Sequence, residues 1–388
     1  MSNPLRTKAI AQAKIKTDKV DAYTLAQLLR SDFLPAVWQP DEQTARLRSL
    51  TGRRAALVQD RTAIKNRIHS VLHQRLMQPP SGGLFTQKGL AWPRALELDE
   101  DGRASIQSDL RLLEAVEQEI GLLEDTLVQA AAPDPRLKLL LTLPGVDVLC
   151  AETLLAALGD LSRFSDGDHA ASYLGLVPST KQSANRSFHG PITKAGSGHA
   201  RWVLIQAAQH LAAHPGPLGV FFRRLAKKKN HNVAVVATAR KLVVIAYLML
   251  KSGEPYRYAQ PRPTEQKLRR LELRTGGARR KTGPQKGTQG TAKLPGGSRT
   301  LKPLDQVYVR EGLPPRPPLA PGEQRIIEEM EVSAFVEAIG QRQIVPRRRS
   351  APALVAASPS PAPAAGSSST STRTANLPPT SSIPVSGG

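Results

Sequence analysis

A chain of 388 residues with 54 Lys and Arg against 32 Asp and Glu, a net charge of +22, has room for two domains or for one domain with tails. The excess favours a polyanionic partner, nucleic acid first and an anionic membrane surface second; no run approaches the roughly 18 uninterrupted apolar residues of a membrane span, and the N-terminus lacks a signal pattern. A single Cys150 excludes an internal disulfide framework and Cys-rich zinc sites, so the base expectation is a cytoplasmic, soluble, nucleic-acid-associated protein without membrane contact.

In chain order, TDKVDAYTLAQLL predicts a helix capped by Thr17, with Ala22, Leu25, Leu28 and Leu29 on its apolar side. Asp18 and Asp21 lie three apart, so both carboxylates leave one face of the first turn. Such a pair suits a helix N-terminus, and on residues alone that reading is preferred. The other reading is a Mg²⁺ held between carboxylates and phosphate oxygens, which needs more acids than this pair.

Residues 41–77 carry Leu50, Leu57, Ile64 and Val71 at seven-residue intervals, supported by Leu47 and Ile68, with Arg54, Arg61 and Arg75 interrupting the second lane. After a Pro/Gly break at Pro79–Gly83, residues 104–131 repeat the pattern with Ile106, Leu113, Ile120 and Leu127. Two such helices predict an antiparallel coiled-coil hairpin or a dimerising arm. The run LKLLLTLPGVDVLCAETLLAALGD reads as helix, turn and helix about Pro144–Gly145. Its helix-hairpin-helix-like turn offers backbone N–H groups to a phosphate, or is simply a tight turn.

Residues 173–206 form a Gly/Pro-punctuated loop with Ser179, Ser183 and Ser187, leading into a helix near His199. Lys181, Asn185, Arg186, Lys194 and Arg201 surround those hydroxyls, an arrangement that suits a serine attacking a phosphodiester or equally a basic surface loop. Further on, Arg223, Arg224, Lys227, Lys228 and Lys229 fall between two helices, either solvated or gripping a nucleic-acid backbone. From about Gly253 periodicity fades into Pro, Gly, Ser and Ala, which predicts a largely disordered tail. A short acidic amphipathic helix near Gly322–Ile339 is the exception, and the basic stretch Arg269–Lys286 adds unspecific electrostatic affinity.

Four pieces in this order resemble the transposases of insertion sequence family 110, which recombine DNA under a structured bridge RNA. They are KTDKVDAYTLAQLL at 16–29, LPGVDVLCAETLLAALGD at 143–160, the block from Phe164 to Ala208, and VAVVATARKLVVIAYLMLKSGEPY at 233–256. The resemblance covers about residues 1–256 and implies three parts of a mainly α fold: the remnant of a RuvC-like α/β domain at 1–40, a coiled-coil arm at 41–131, and a helical domain with a serine loop at 133–256. The low-complexity tail at 257–388, read from composition, has no counterpart in it. By the same resemblance, Asp18 and Asp21 fall on the last two of four acidic Mg²⁺ ligands and Ser183 on the nucleophile, which would form a 5′-phosphoserine linkage to DNA. Metal site and serine would come from different protomers of a dimer or tetramer joined through the coiled coil.

Two departures stand out. The first two acidic ligands have no counterpart before Asp18, so a truncated metal-dependent domain and impaired activity are expected. Ser183 is followed by Ala184 where the family usually has glycine. Beside a DNA transposase stand two other readings, a non-catalytic DNA- or RNA-binding remnant and a metal-dependent nuclease without the serine. Lys181, Arg186, Lys194, Arg201 and the five cations at 223–229 are the expected nucleic-acid contacts.

Overall fold

In a computed structural model of the chain, residues 2–3, 7, 17–35, 37–80, 82–86, 89–183, 186–276 and 298–346 are described. Helix α1 (Asp18–Arg30) begins where the sequence predicts: Thr17 is extended and its hydroxyl accepts from Val20 N at 3.3 Å. That bond satisfies one of the N–H groups a helix start leaves open. No residue of α1 is buried, and Leu29 on its apolar side is 67% exposed.

The arm follows. Helix α2 (Glu42–Gln74) starts at Asp41, whose carboxylate accepts from Thr44 N, and packs along α4 (Glu100–Ala131); the short α3 (Ala91–Ala95) lies in the connection. Ion pairs Arg54–Glu124, Arg67–Asp109 and Arg75–Asp99 fix the two long helices as antiparallel partners within one chain. The arginines Arg54 and Arg75 that interrupt the apolar lane therefore have carboxylates across the seam, which offsets the cost of placing charge there. Of the residues at seven-residue spacing, Leu57, Ile64, Ile106, Leu113, Ile120 and Leu127 are buried while Leu50 and Val71 are half-buried, and Ile68 beside them is buried too. Towards the arm's tip, Leu84, Phe85, Leu90 and Trp92 close over Ile68, Leu72 and Ile106 in a small second core.

The main core belongs to the helical region beyond the arm. It is built from α5 (Pro135–Leu141), α6 (Val148–Leu158), α7 (Gly167–Tyr173), α8 (Gly198–Gln209), α9 (Pro217–Lys228) and α10 (His231–Ser252). By length and composition α10 is apolar enough to cross a membrane, yet Ala234, Ala239, Leu242, Val243 and Ala246 are buried in the core. The Pro144–Gly145 turn joins α5 to α6; Gly145 sits at φ 79°, and a Cβ there would collide with the Ala207 carbonyl. At the other end of α6, Arg48 donates to Ala156 O (2.7 Å) and Ala157 O (3.0 Å), and Arg163 donates to Leu158 O (2.8 Å). Cations on terminal carbonyls suit the negative end of a helix. Arg163 also lies 4.2 Å from the Trp38 ring and 4.1 Å from the Tyr173 ring, tying the arm's base to this region.

The expectation of a tail disordered from residue 257 needs correction. Helix α11 (Pro261–Arg274) buries Thr264, Leu268 and Leu271. Its Lys267 ammonium donates to Leu143 O (2.6 Å) and Val146 O (2.9 Å), and its Arg274 pairs with Asp125 of α4 at 2.9 Å. Helix α12 (Leu304–Arg310) buries Tyr308, whose hydroxyl donates to Tyr256 O at 2.6 Å. Helices α13 (Pro321–Glu329) and α14 (Ser333–Gly340) follow, close to where the sequence places one short helix. Pro at the first helical position and a run of good helix formers at 264–274 were the missed signals. Residues 277–297 and 347–388, including part of the basic stretch, lie outside the described residues.

Candidate functional site

The segment that sequence alone reads as a loop is a β-hairpin. Strand β1 (Pro178–Ser183) pairs antiparallel with β2 (Arg186–Ile192), with Ser183 opposite Arg186, Lys181 opposite Phe188, and an irregularity between Pro178 and Thr180. The polar alternation here lacks the β-branched run that announces a strand, so pairing rather than propensity sets its form. Ser183 ends β1, paired with Arg186 at the start of β2. Residues 184 and 185, and the side chains of Lys181, Ser183 and Arg186, lie outside the described residues. Phe188 is 64% exposed and Trp202 on α8 52%, two aromatics that composition alone did not single out.

From β2 the chain returns to the end of α7. Thr193 N donates to Val177 O (3.0 Å) and Lys194 N to Gly175 O (3.2 Å). Lys194 holds a left-handed backbone at φ 54° with its side chain exposed, and a Cβ on Gly196 (φ 63°) would collide with Tyr173 O. Arg201 donates to Leu174 O (3.0 Å) and Ala195 O (2.7 Å), so its guanidinium fastens this return. Arg223 likewise donates to Ala212 O and His214 O, and Arg224 to Glu329 O. Lys227, Lys228 and Lys229 close α9 with exposed side chains, where cations suit the helix C-terminus and remain open to an anion. Sequence groups these five cations together; all five are exposed, but the structure divides them into two that hold backbone carbonyls and three that hold none.

Asp18 and Asp21 project from the exposed first turn of α1. Among the described residues no group of three or more His, Cys, Asp or Glu is arranged to hold a metal. The donor set described around this pair therefore stops at two carboxylates.

One carboxyl escaped the sequence reading. Glu152 on α6 is wholly buried with both oxygens unpartnered, and burial pushes it up to about 8, opposed chiefly by Arg274. It is thus mostly neutral at pH 7 inside the core. Its signal in the sequence is a lone acid in the apolar run VLCAETLLAAL.

A family model described as transposase of the IS116/IS110/IS902 family matches residues 137–220, and a second, a DEDD transposase model of insertion sequence 110, matches residues 1–77. The uncharacterized 43.6 kDa protein of insertion element IS110 from Streptomyces coelicolor is 31% identical over 155 residues, covering 39% of this chain and 38% of its own length. The transposase for insertion sequence element IS1328 of Yersinia enterocolitica is 26% identical over 249 residues, 61% of this chain and 72% of that protein. The transposase for insertion sequence element IS1111A of Coxiella burnetii is 25% identical over 253 residues, 62% and 68% respectively. Against two Sinorhizobium fredii relatives the match spans 54% and 65% of their lengths.

Proposed function

The chain belongs to the IS110/IS116/IS902 transposase family, and from that premise we propose that it breaks and rejoins DNA through Ser183. The observation that carries the reading is the placement of Ser183 at the end of a short hairpin strand, opposite Arg186, within the span of the family's own model. In the proposed step Ser183 Oγ attacks a backbone phosphorus, the Oγ–P bond forms as the P–O3′ bond breaks, and the serine proton ends on the departing 3′ oxygen. Attack by a 3′-hydroxyl on the phosphoserine reverses the exchange and joins strands without external energy. Lys181, Arg186 and Lys194 are the cations assigned to the pentavalent phosphorane's charge. The exposed Lys227, Lys228 and Lys229, with Phe188 and Trp202 as stacking faces, are assigned to holding the DNA.

A DEDD-type domain suggests a divalent metal, and Asp18 and Asp21 are the carboxylates proposed here as this chain's share of Mg²⁺ ligands. Two carboxylates are fewer than such a site needs, and a Mg²⁺ held with their help would activate and orient the phosphodiester that Ser183 attacks. A guide RNA and assembly into a dimer or tetramer belong to the same proposal. The arm's seam is filled within one chain, which leaves outward residues such as Leu112 and Leu122 on α4, both exposed, as its surface for a second copy.

The test is a covalent-adduct assay with element-end DNA, Mg²⁺ and the candidate guide RNA. The wild-type chain is expected to yield a phosphoserine adduct that Ser183→Ala abolishes while DNA binding persists. An adduct in Ser183→Ala would overturn the nucleophile; hydrolysis without any adduct would point to a nuclease, and binding without cleavage to a non-catalytic protein.

A further inference from the structure

A cavity of about 340 Å³ opens where the Pro144–Gly145 turn meets the 3₁₀ turn His210–Ala213 and the first half of α11. Two cations, Lys267 and Arg270, and two histidines, His210 and His214, face it among apolar and small neighbours. Lys267, largely buried, reaches in beneath the turn and spends two of its donors on Leu143 O and Val146 O. Arg270 and His210 stand at the exposed rim, and neither side chain has a hydrogen-bond partner among the described residues. His214, 6% exposed, also lines the cavity; its Nδ1 accepts from Gly216 N (3.1 Å), which places the proton on Nε2, and that nitrogen is buried without a partner. A buried N–H without an acceptor is destabilising, so a site that keeps one unpaired is short of an acceptor. The one acid on the wall, Asp147, is already committed as the cap of α6 through Cys150 N (2.8 Å).

We propose that this cavity seats one phosphate of duplex DNA, received by Arg270, His210, the third donor of Lys267 and Nε2 of His214. The proposal rests on the DNA reading above and adds a contact apart from the serine hairpin. It also changes the sequence-based picture of the turn, because most of the donors come from side chains 65 to 125 residues downstream of it. DNA is favoured over other phosphates because the family acts in transposition and the rim is open on the side of the exposed Gly145.

Burial and the neighbouring Arg223 and Lys267 hold His214 down to about 4, and burial holds Lys267 down to about 8. An anion in the cavity favours both charged forms, so it must raise both.

Two measurements on the full chain test the proposal. Inorganic phosphate, followed by NMR of the histidine ring protons, is expected to raise the His214 midpoint in the wild type and not in Arg270→Ala. Duplex binding as a function of salt is expected to lose about one unit of log–log slope in Arg270→Ala, as removal of one phosphate contact requires. Arg325→Ala, on the exposed face of α13, serves as the control with unchanged slope. Equal slopes for both variants overturn the site while leaving DNA binding intact. Absent salt-dependent binding in the wild type overturns the DNA reading and this proposal together, even if phosphate alone binds. A slope loss seen with an RNA duplex and not with DNA overturns the assignment to DNA.

Discussion

Helices α1 and α11 are nearly equal in length, 13 and 14 residues, and opposite in character. The first has a capping hydroxyl, acids in its first turn and a basic last turn, yet buries nothing. The second has no side-chain cap, but Leu268 and Leu271 enter the main core and Lys267 fastens the Pro144–Gly145 turn. Local signals decide that a segment can be helical; they do not decide whether a surface waits to receive it. Stability should follow burial, and function at α1 should follow the acids.

The largest expected effect tests that division directly. Leu268→Ala and Leu271→Ala should each cost about 2–5 kcal/mol in denaturant unfolding, as core truncations do. Leu25→Ala and Leu29→Ala in α1 should stay within about 0.5 kcal/mol. Comparable losses from both helices would mean that α1 packs against a surface in solution, and the contrast would fail.

A second experiment sharpens the comparison through Glu152, which lies in the field of Arg274 at the end of α11. Raised from 4.5 to about 8, this carboxyl keeps its proton in the folded chain over a range where the unfolded chain releases it. Folding therefore binds the extra proton between those values, and its contribution is lost as pH rises from about 4.5 towards about 8. The stability difference between Glu152→Gln and wild type should grow in favour of the variant by a few kcal/mol (roughly 1.4 per pH unit of separation, as an upper bound) across that window. A pH-independent difference would show that Glu152 reaches solvent or a partner. His214, held down to about 4, acts in the opposite sense below its ordinary value, so the comparison with Glu152→Gln is more telling than the wild-type curve alone.

The smallest effect concerns the cap. Thr17→Ala should remove about 1 kcal/mol from the local helix, visible as faster amide exchange in the first turn of α1, with the global unfolding midpoint unmoved. A drop in the midpoint would join α1 to the cooperative core.

The arm was the part most legible in the sequence. A seven-residue apolar spacing is a property of one helix with one partner face, and Leu57 and Ile64 on α2, with Leu113 and Leu127 on α4, obeyed it. The interrupting arginines were legible only as irregularities, since Glu124 and Asp99 lie 70 and 24 residues from their partners Arg54 and Arg75. Order in α11 and α12 was underestimated because Pro- and Arg-rich composition outweighed the Leu268–Leu271 spacing, and because Tyr308 meets its acceptor, Tyr256 O, 52 residues away.

Short-range signals in the chain were enough for the long helices, for the start at Thr17, and for the family through the order of its motifs. Caps and periodicities act over a few residues and need no knowledge of the rest of the chain. Packing had to settle which cations are free and which are bound to carbonyls, that Glu152 is neutral, and that the turn at Pro144–Gly145 gains a wall of donors from α11. Those outcomes depend on desolvation and on distances between residues far apart in the chain, and neither is written in local spacing.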